Sequence, residues 1–172
     1  MRKLANNYLN IPTIITKRLI LNTPLETDFI ILESFLKSNR SQYIGGPYTS
    51  FTSWSDYMAN IGHWSLYGYG LWSIRIKDNK RFIGRVGIIK PIMFKEADFA
   101  WQLFNGYEGN GYALEAAESI KNYTIKNLNL PSLASHILSG NNKSILLAEK
   151  LGFKYKKEVL VKKKKYLIYY HI

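Results

Sequence analysis

The chain has no cysteine among its 172 residues. That excludes disulfides, thiolate metal sites and a cysteine nucleophile, and it fits a reducing compartment. Histidine is scarce, and the three present have no metal-ligand spacing. No metal site is therefore expected. No apolar run approaches the ~20 residues that span a bilayer. The opening Arg2-Lys3-Leu-Ala-Asn-Asn-Tyr is too polar for a signal-peptide core. The expectation is a soluble, cytoplasmic protein with no membrane partner.

Acidic residues are also few, 12 against 24 Lys and Arg, for a net charge of +12. Such a balance invites a nucleic-acid reading. The distribution argues otherwise, because residues 154–172 hold seven Lys and one Glu. The run Lys162–Lys165 lies between two strand-like segments, so it reads as the Lys-rich turn of a hairpin. On this pattern nucleic acid is not the expected partner.

With 47% hydrophobic residues, the chain can bury a sizeable core. No Pro/Gly-rich linker or repeat divides it. Residues 1–172 read as one domain, with 1–15 as an N-terminal arm. Strand patterns fall at 18–22, 71–77, 81–90, 96–104 and 132–138, with a final pair at the end. Helical patterns fall at 26–38, 53–67, 111–127 and 142–151. In the first, Phe29, Ile30, Leu32, Phe35 and Leu36 form the apolar face. In the second, Tyr57, Ile61, Trp64 and Met58 point inward. This mixed order with a central antiparallel run predicts an α+β fold.

The densest signal is Gly106-Tyr-Glu-Gly109-Asn-Gly111-Tyr-Ala113. It follows the 96–104 strand and opens the 111–127 helix. Glycines there leave backbone N–H groups at a helix N-terminus open to a phosphate. No Lys-Ser or Lys-Thr follows, as a nucleotide P-loop requires. The third glycine of a dinucleotide fingerprint is Leu114, and no acid follows at the next strand. Downstream, Asn141-Asn-Lys-Ser144 leads to Glu149-Lys-Leu-Gly-Phe153, an N-capped helix with a glycine stop.

Together these stretches, with Thr16-Lys-Arg-Leu-Ile-Leu21, resemble the GNAT superfamily of acetyl-CoA-dependent N-acetyltransferases. The branch resembled is that of the ribosomal-protein N-terminal acetyltransferases. The resemblance spans residues 16–172. Two departures stand out. Glu108 occupies a place where the family usually has Gln, Arg or an aromatic, and it is expected to turn to solvent. Ala148 stands where many members carry a Tyr that protonates the leaving thiol.

The resemblance implies the GNAT fold: a mixed, mostly antiparallel sheet of about six or seven strands, splayed centrally, with helices on both faces. It implies acetyl-CoA as cosubstrate. Gly109, Asn110, Gly111, Tyr112 and Ala113 would hold its pyrophosphate. Backbone groups from Leu103 to Asn105 would hold the pantetheine arm, with Asn141 a further contact. Ser144 is assigned to the thiol side. Asp98 is the preferred base, directly or through water, with Glu96 the alternate, since residues two apart on a strand share a face. His63, in a Gly-His-Trp sequence, and His136 read as structural. The acceptor is a primary amine, either a protein N-terminus or a small amine, and the protein a monomer or homodimer. Two rivals stand beside this: a basic nucleic-acid-binding module, and an acyl-CoA-binding protein without turnover.

Overall fold

The structure is a computed structural model, described here for residues 10–171. The start of the expected arm, residues 1–9, lies outside them. An eight-stranded sheet runs in the order β1-β2-β3-β4-β5-β6-β8-β7. Its strands are β1 (Ile14–Ile15), β2 (Leu19–Asn22), β3 (Leu71–Ile76), β4 (Phe82–Ile89), β5 (Ala97–Leu103), β6 (Leu133–Leu138), β7 (Lys154–Val161) and β8 (Lys164–Tyr170). The helices are α1 (Phe29–Leu36), α2 (Ser50–Tyr67), α3 (Tyr112–Asn127) and α4 (Asn142–Lys150). The strand beyond the seven expected is β1. It pairs with β2 through Ile14–Leu21 and Ile15–Ile20, so the end of the supposed arm belongs to the sheet.

Every strand pair is antiparallel except β5 with β6. That parallel pair is short, covering only Ala97–Leu133 and Asp98–Ala134. Both strands run on for several residues without pairing to each other, so the sheet forks at its centre. Side chains close the fork. The Ser135 hydroxyl donates to the Phe99 carbonyl at 2.9 Å, and Asp98 accepts the backbone N–H of His136 at 2.9 Å. Each side chain supplies a partner that a ladder bond would otherwise provide.

Alternation along β5 sends its residues to two cores. Ala97, Phe99, Trp101 and Leu103 pack under α3 and α4 with Ala116, Ala117 and Ala148. Phe104 faces the other way, into a second core with Leu32 and Leu36 of α1 and Tyr57 of α2. Helices thus cover both faces. In α1, Leu32 and Leu36 are buried, but Ile30 is exposed. In α2, Tyr57 and Trp64 are buried, whereas Met58 is exposed. An eight-residue helix has room for only a narrow inward stripe, and Met58 sits next to the stripe set by Tyr57, Ile61 and Trp64. A 3-10 turn, Asn39–Ile44, follows α1.

Candidate active site at the sheet fork

The glycine loop sits where β5 ends and α3 begins. Gly106, Gly109 and Gly111 all adopt positive φ, +86°, +79° and +75°. A Cβ at Gly106 or Gly109 would meet nothing within 4 Å. Space therefore does not require glycine at those two positions. The backbone twist does, and the surface above the loop stays open. Gly111 caps α3 without a side-chain bond. The helix's own ladder begins with Glu115 N–H to the Gly111 carbonyl, 3.1 Å. The N–H groups of Tyr112, Ala113 and Leu114 precede it, at the positive end of a 16-residue helix. This cradle fits a pyrophosphate.

Two arginines from distant elements frame the loop, and neither was readable as a site residue in the sequence. Arg18 donates from Nη1 to the Asn110 carbonyl at 2.8 Å, and its guanidinium lies 4.6 Å above the Tyr112 ring. Its Nε bonds Glu115 at 2.6 Å. Burial pulls the Glu115 carboxyl up, but hydrogen bonds from the Thr16 hydroxyl and from Arg18 outweigh it and leave it below the usual range. The second arginine, Arg40, pairs with Glu108, whose other oxygen accepts the Gly106 N–H at 3.1 Å. The expectation that Glu108 turns to solvent is corrected here. Its charge is matched by Arg40, and its carboxylate holds the loop's first turn.

The fork leaves one edge of β5 open. Antiparallel pairing with β4 turns the N–H and C=O groups of alternate residues toward β4, as Phe104 N–H to the Ile83 carbonyl shows. The groups of Phe99, Trp101 and Leu103 therefore face the gap. Ser135 takes the Phe99 carbonyl, and Arg40 reaches the Leu103 carbonyl at 3.4 Å. The Trp101 and Leu103 N–H groups remain on an edge shaped for an extended, amide-bearing arm. Asn105 follows in the exposed turn.

Ser144 lies on the α3–α4 side. Its Oγ accepts from Trp101 Nε1 at 3.2 Å, so its own proton is free for another acceptor. Asn141 does cap α4, receiving the Ser144 N–H at 3.4 Å. Ala148 is fully buried between α4 and the sheet.

Asp98 and Glu96 lie on the α1–α2 side. Both reach one imidazole. Asp98 Oδ1 is 3.0 Å from His136 Nδ1, and Glu96 Oε2 is 3.7 Å from His136 Nε2. Glu96 also accepts the Tyr170 hydroxyl. That bond holds the Glu96 carboxyl below its usual range and pushes the Tyr170 phenol up to about 12. Farther along the same face, Arg85 is buried at 2% exposure. It donates to Gln102 at 3.0 and 2.8 Å and pairs with Asp56 of α2 at 2.8 Å. His63 lies away from the fork. It bonds the Tyr69 carbonyl through Nδ1 at 2.6 Å and accepts the Lys90 N–H at Nε2, 2.8 Å. Both its nitrogens serve the scaffold. Among the described residues, no group of His, Asp or Glu side chains is arranged to hold a metal ion, and no helix is long and apolar enough to cross a membrane.

A sequence model of the acetyltransferase (GNAT) domain matches residues 18–154. The chain belongs to the GNAT acetyltransferase family. Members draw their acetyl group from acetyl-CoA, and the open glycine loop and forked strand edge suit that donor. An acetyltransferase from Agrobacterium tumefaciens is 33% identical, covers 97% of this chain and 98% of its own, and superposes with a TM-score of 0.88. The structure of RimL, a ribosomal L7/L12 alpha-N-protein acetyltransferase in complex with coenzyme A, shares the fold at 14% identity, TM-score 0.76, over 94% of this chain and 98% of RimL. The uncharacterized protein YkkB of Bacillus subtilis is 32% identical over 95 residues, 54% of this chain and 55% of YkkB. The chain thus spans about half the length of that curated relative.

Proposed function

We propose that residues 1–172 form one N-acetyltransferase domain that moves an acetyl group from acetyl-CoA to a primary amine by direct attack on the thioester. The observation that carries this is the division of the fork. Its open backbone edge lies between two differently equipped faces. On the α1–α2 side stand the carboxylates of Asp98 and Glu96. On the α3–α4 side stands a serine hydroxyl with a free proton.

Gly109 through Ala113 bind the pyrophosphate with backbone N–H groups, and Arg18 adds positive charge beside them. Trp101 and Leu103 N–H groups orient the pantetheine arm. An ammonium cannot attack a carbonyl until it loses a proton. A carboxylate at the fork accepts it. The neutral amine then forms the C–N bond while the C–S bond breaks and the sulfur keeps the electron pair; the proton that the new amide nitrogen sheds balances the one the thiolate takes up as it leaves as free thiol. Ser144 donates a hydrogen bond to that developing charge. No cysteine is present to carry the acetyl group, which favours one-step transfer. Half-buried carboxylates on the acceptor side favour a cationic acceptor, either a protein N-terminus or a small amine. Coenzyme A in the RimL complex supports the donor assignment.

The test is a panel of N-terminal peptides, polyamines, amino acids and amino sugars incubated with acetyl-CoA. Free thiol and acetylated product are both measured. Equal release of thiol and N-acetyl product from one amine class is expected. Binding of acetyl-CoA with no thiol release above the buffer rate from any amine would favour an acyl-CoA-binding protein without turnover.

A further inference from the structure

His136 joins the two carboxylates of the fork. Extending the parallel register of Asp98–Ala134 by two residues places it level with Ala100, where the ladder has ended. Its backbone N–H and its Nδ1 both approach Asp98 Oδ1, at 2.9 and 3.0 Å. An ionised carboxylate only accepts, so Nδ1 carries the proton in this contact. The other oxygen, Oδ2, has no hydrogen-bond partner among the described residues.

The imidazole is held in place. Phe94 stacks flat on it, with centroids 3.7 Å apart and planes 13° from parallel. Tyr166 meets Phe94 edge-on at 5.6 Å. The His136 side chain is 2% exposed, so it does not itself meet the amine. Nε2 is buried and makes no hydrogen bond. It faces Glu96 Oε2 across 3.7 Å, beyond hydrogen-bond distance. A histidine needed only for packing would satisfy both nitrogens, as His63 does.

We propose that His136 is the positioning residue of the catalytic base. Its two N–H donors pin Asp98 Oδ1 and leave Oδ2 turned to the acceptor. This rests on the reading that the acetyl group goes to an amine. In the step it serves, an N–H bond of the ammonium breaks, an O–H bond forms at Oδ2, and nitrogen keeps the pair it then uses to attack. The groups facing this unit are Asp98 and Glu96 beside His136, Tyr166 and Tyr170 of β8, and Lys157 of β7, which acts on Glu96.

The experiment compares H136L, which removes the side-chain donor, with H136N, whose amide nitrogen takes the place of Nδ1. With an amine that the wild type acetylates, H136L should lose about tenfold or more in kcat/KM near neutral pH. Its KM for acetyl-CoA should not change. The deficit should shrink at higher pH, where the amine is already neutral. H136N should stay within about threefold of the wild type. If both variants fall together, or if H136L keeps a pH profile parallel to the wild type, His136 only packs and the proposal fails. If the wild type acetylates no amine, the functional reading fails separately. Carboxyl-carbon NMR titration of Asp98 then decides the positioning role. A curve altered in H136L and restored in H136N upholds it, and an unaltered curve in H136L overturns it.

Discussion

Ser144 Oγ accepts one bond, from Trp101 Nε1, and its hydroxyl proton is left for whatever arrives in the fork. The Ala148 position, where many family members have a tyrosine, is filled by a buried methyl group. In the proposed mechanism the serine takes the part of that acid. Ser144→Ala should lower kcat by about tenfold, roughly 1.4 kcal/mol of transition-state stabilisation, with little change in acetyl-CoA affinity. Unchanged kcat under conditions where chemistry limits turnover would reduce Ser144 to a first-turn residue of α4. Asn141 and Ser144 were legible because a cap, a spacing and a glycine stop lie within one short stretch. His136 was not. Its partner Asp98 is 38 residues away in the chain, and nothing local separates a histidine between two carboxylates from one in a core. The same holds for Arg18 and Arg40, which reach the loop from 92 and 63 residues away by their bonds to Asn110 and Leu103.

At the scale of elements, the glycine loop and α3 were read almost to the residue. Positive-φ glycines and a 3.6-residue apolar period leave one local solution. The fork is different. A strand pattern shows which residues alternate, and it is silent on where pairing stops. That point is set by Asp98 and Ser135, which replace ladder partners across two strands. Two-residue β1 escaped for a plainer reason: it is too short to show alternation. Gly109→Ala is the sharpest change to the loop. The added methyl meets no neighbour within 4 Å, so its structural effect is the strain of an L-residue at φ +79°, about 1–2 kcal/mol. It also puts a side chain on the open surface where phosphate must approach. Affinity for acetyl-CoA should drop at least about tenfold, or ~1.4 kcal/mol, while the far-UV spectrum stays that of the wild type. Retained affinity in the folded variant would mean the glycines only make a turn.

Across the whole molecule, the excess positive charge has a structural place. β7 is the sheet's edge strand, and Lys154, Lys156 and Lys157 stand along it. Lysines on an exposed edge discourage pairing with another sheet, a structural role for three of the tail's seven lysines. Stability should depend on pH through His63. Burial lowers its pKa, with the bond to the Tyr69 carbonyl working the other way. The native ring stays neutral where an unfolded histidine, near 6.5, takes a proton. The unfolded state then binds more protons, so stability is full above about pH 6.5 and is lost as pH falls toward the native pKa. The melting midpoint should decline as pH falls below about 6.5. H63Q, which cannot titrate, should start lower and decline less steeply. An equal slope in both would remove His63 as a cause.

Direct attack at the fork requires acetyl-CoA and amine to be bound at once, on opposite faces of one gap. Initial rates measured over a grid of both substrate concentrations test this most directly, with the mass of the protein checked after incubation with acetyl-CoA alone. The account predicts double-reciprocal lines that intersect and a protein mass unchanged by the donor. Parallel lines together with a protein heavier by one acetyl group would contradict it.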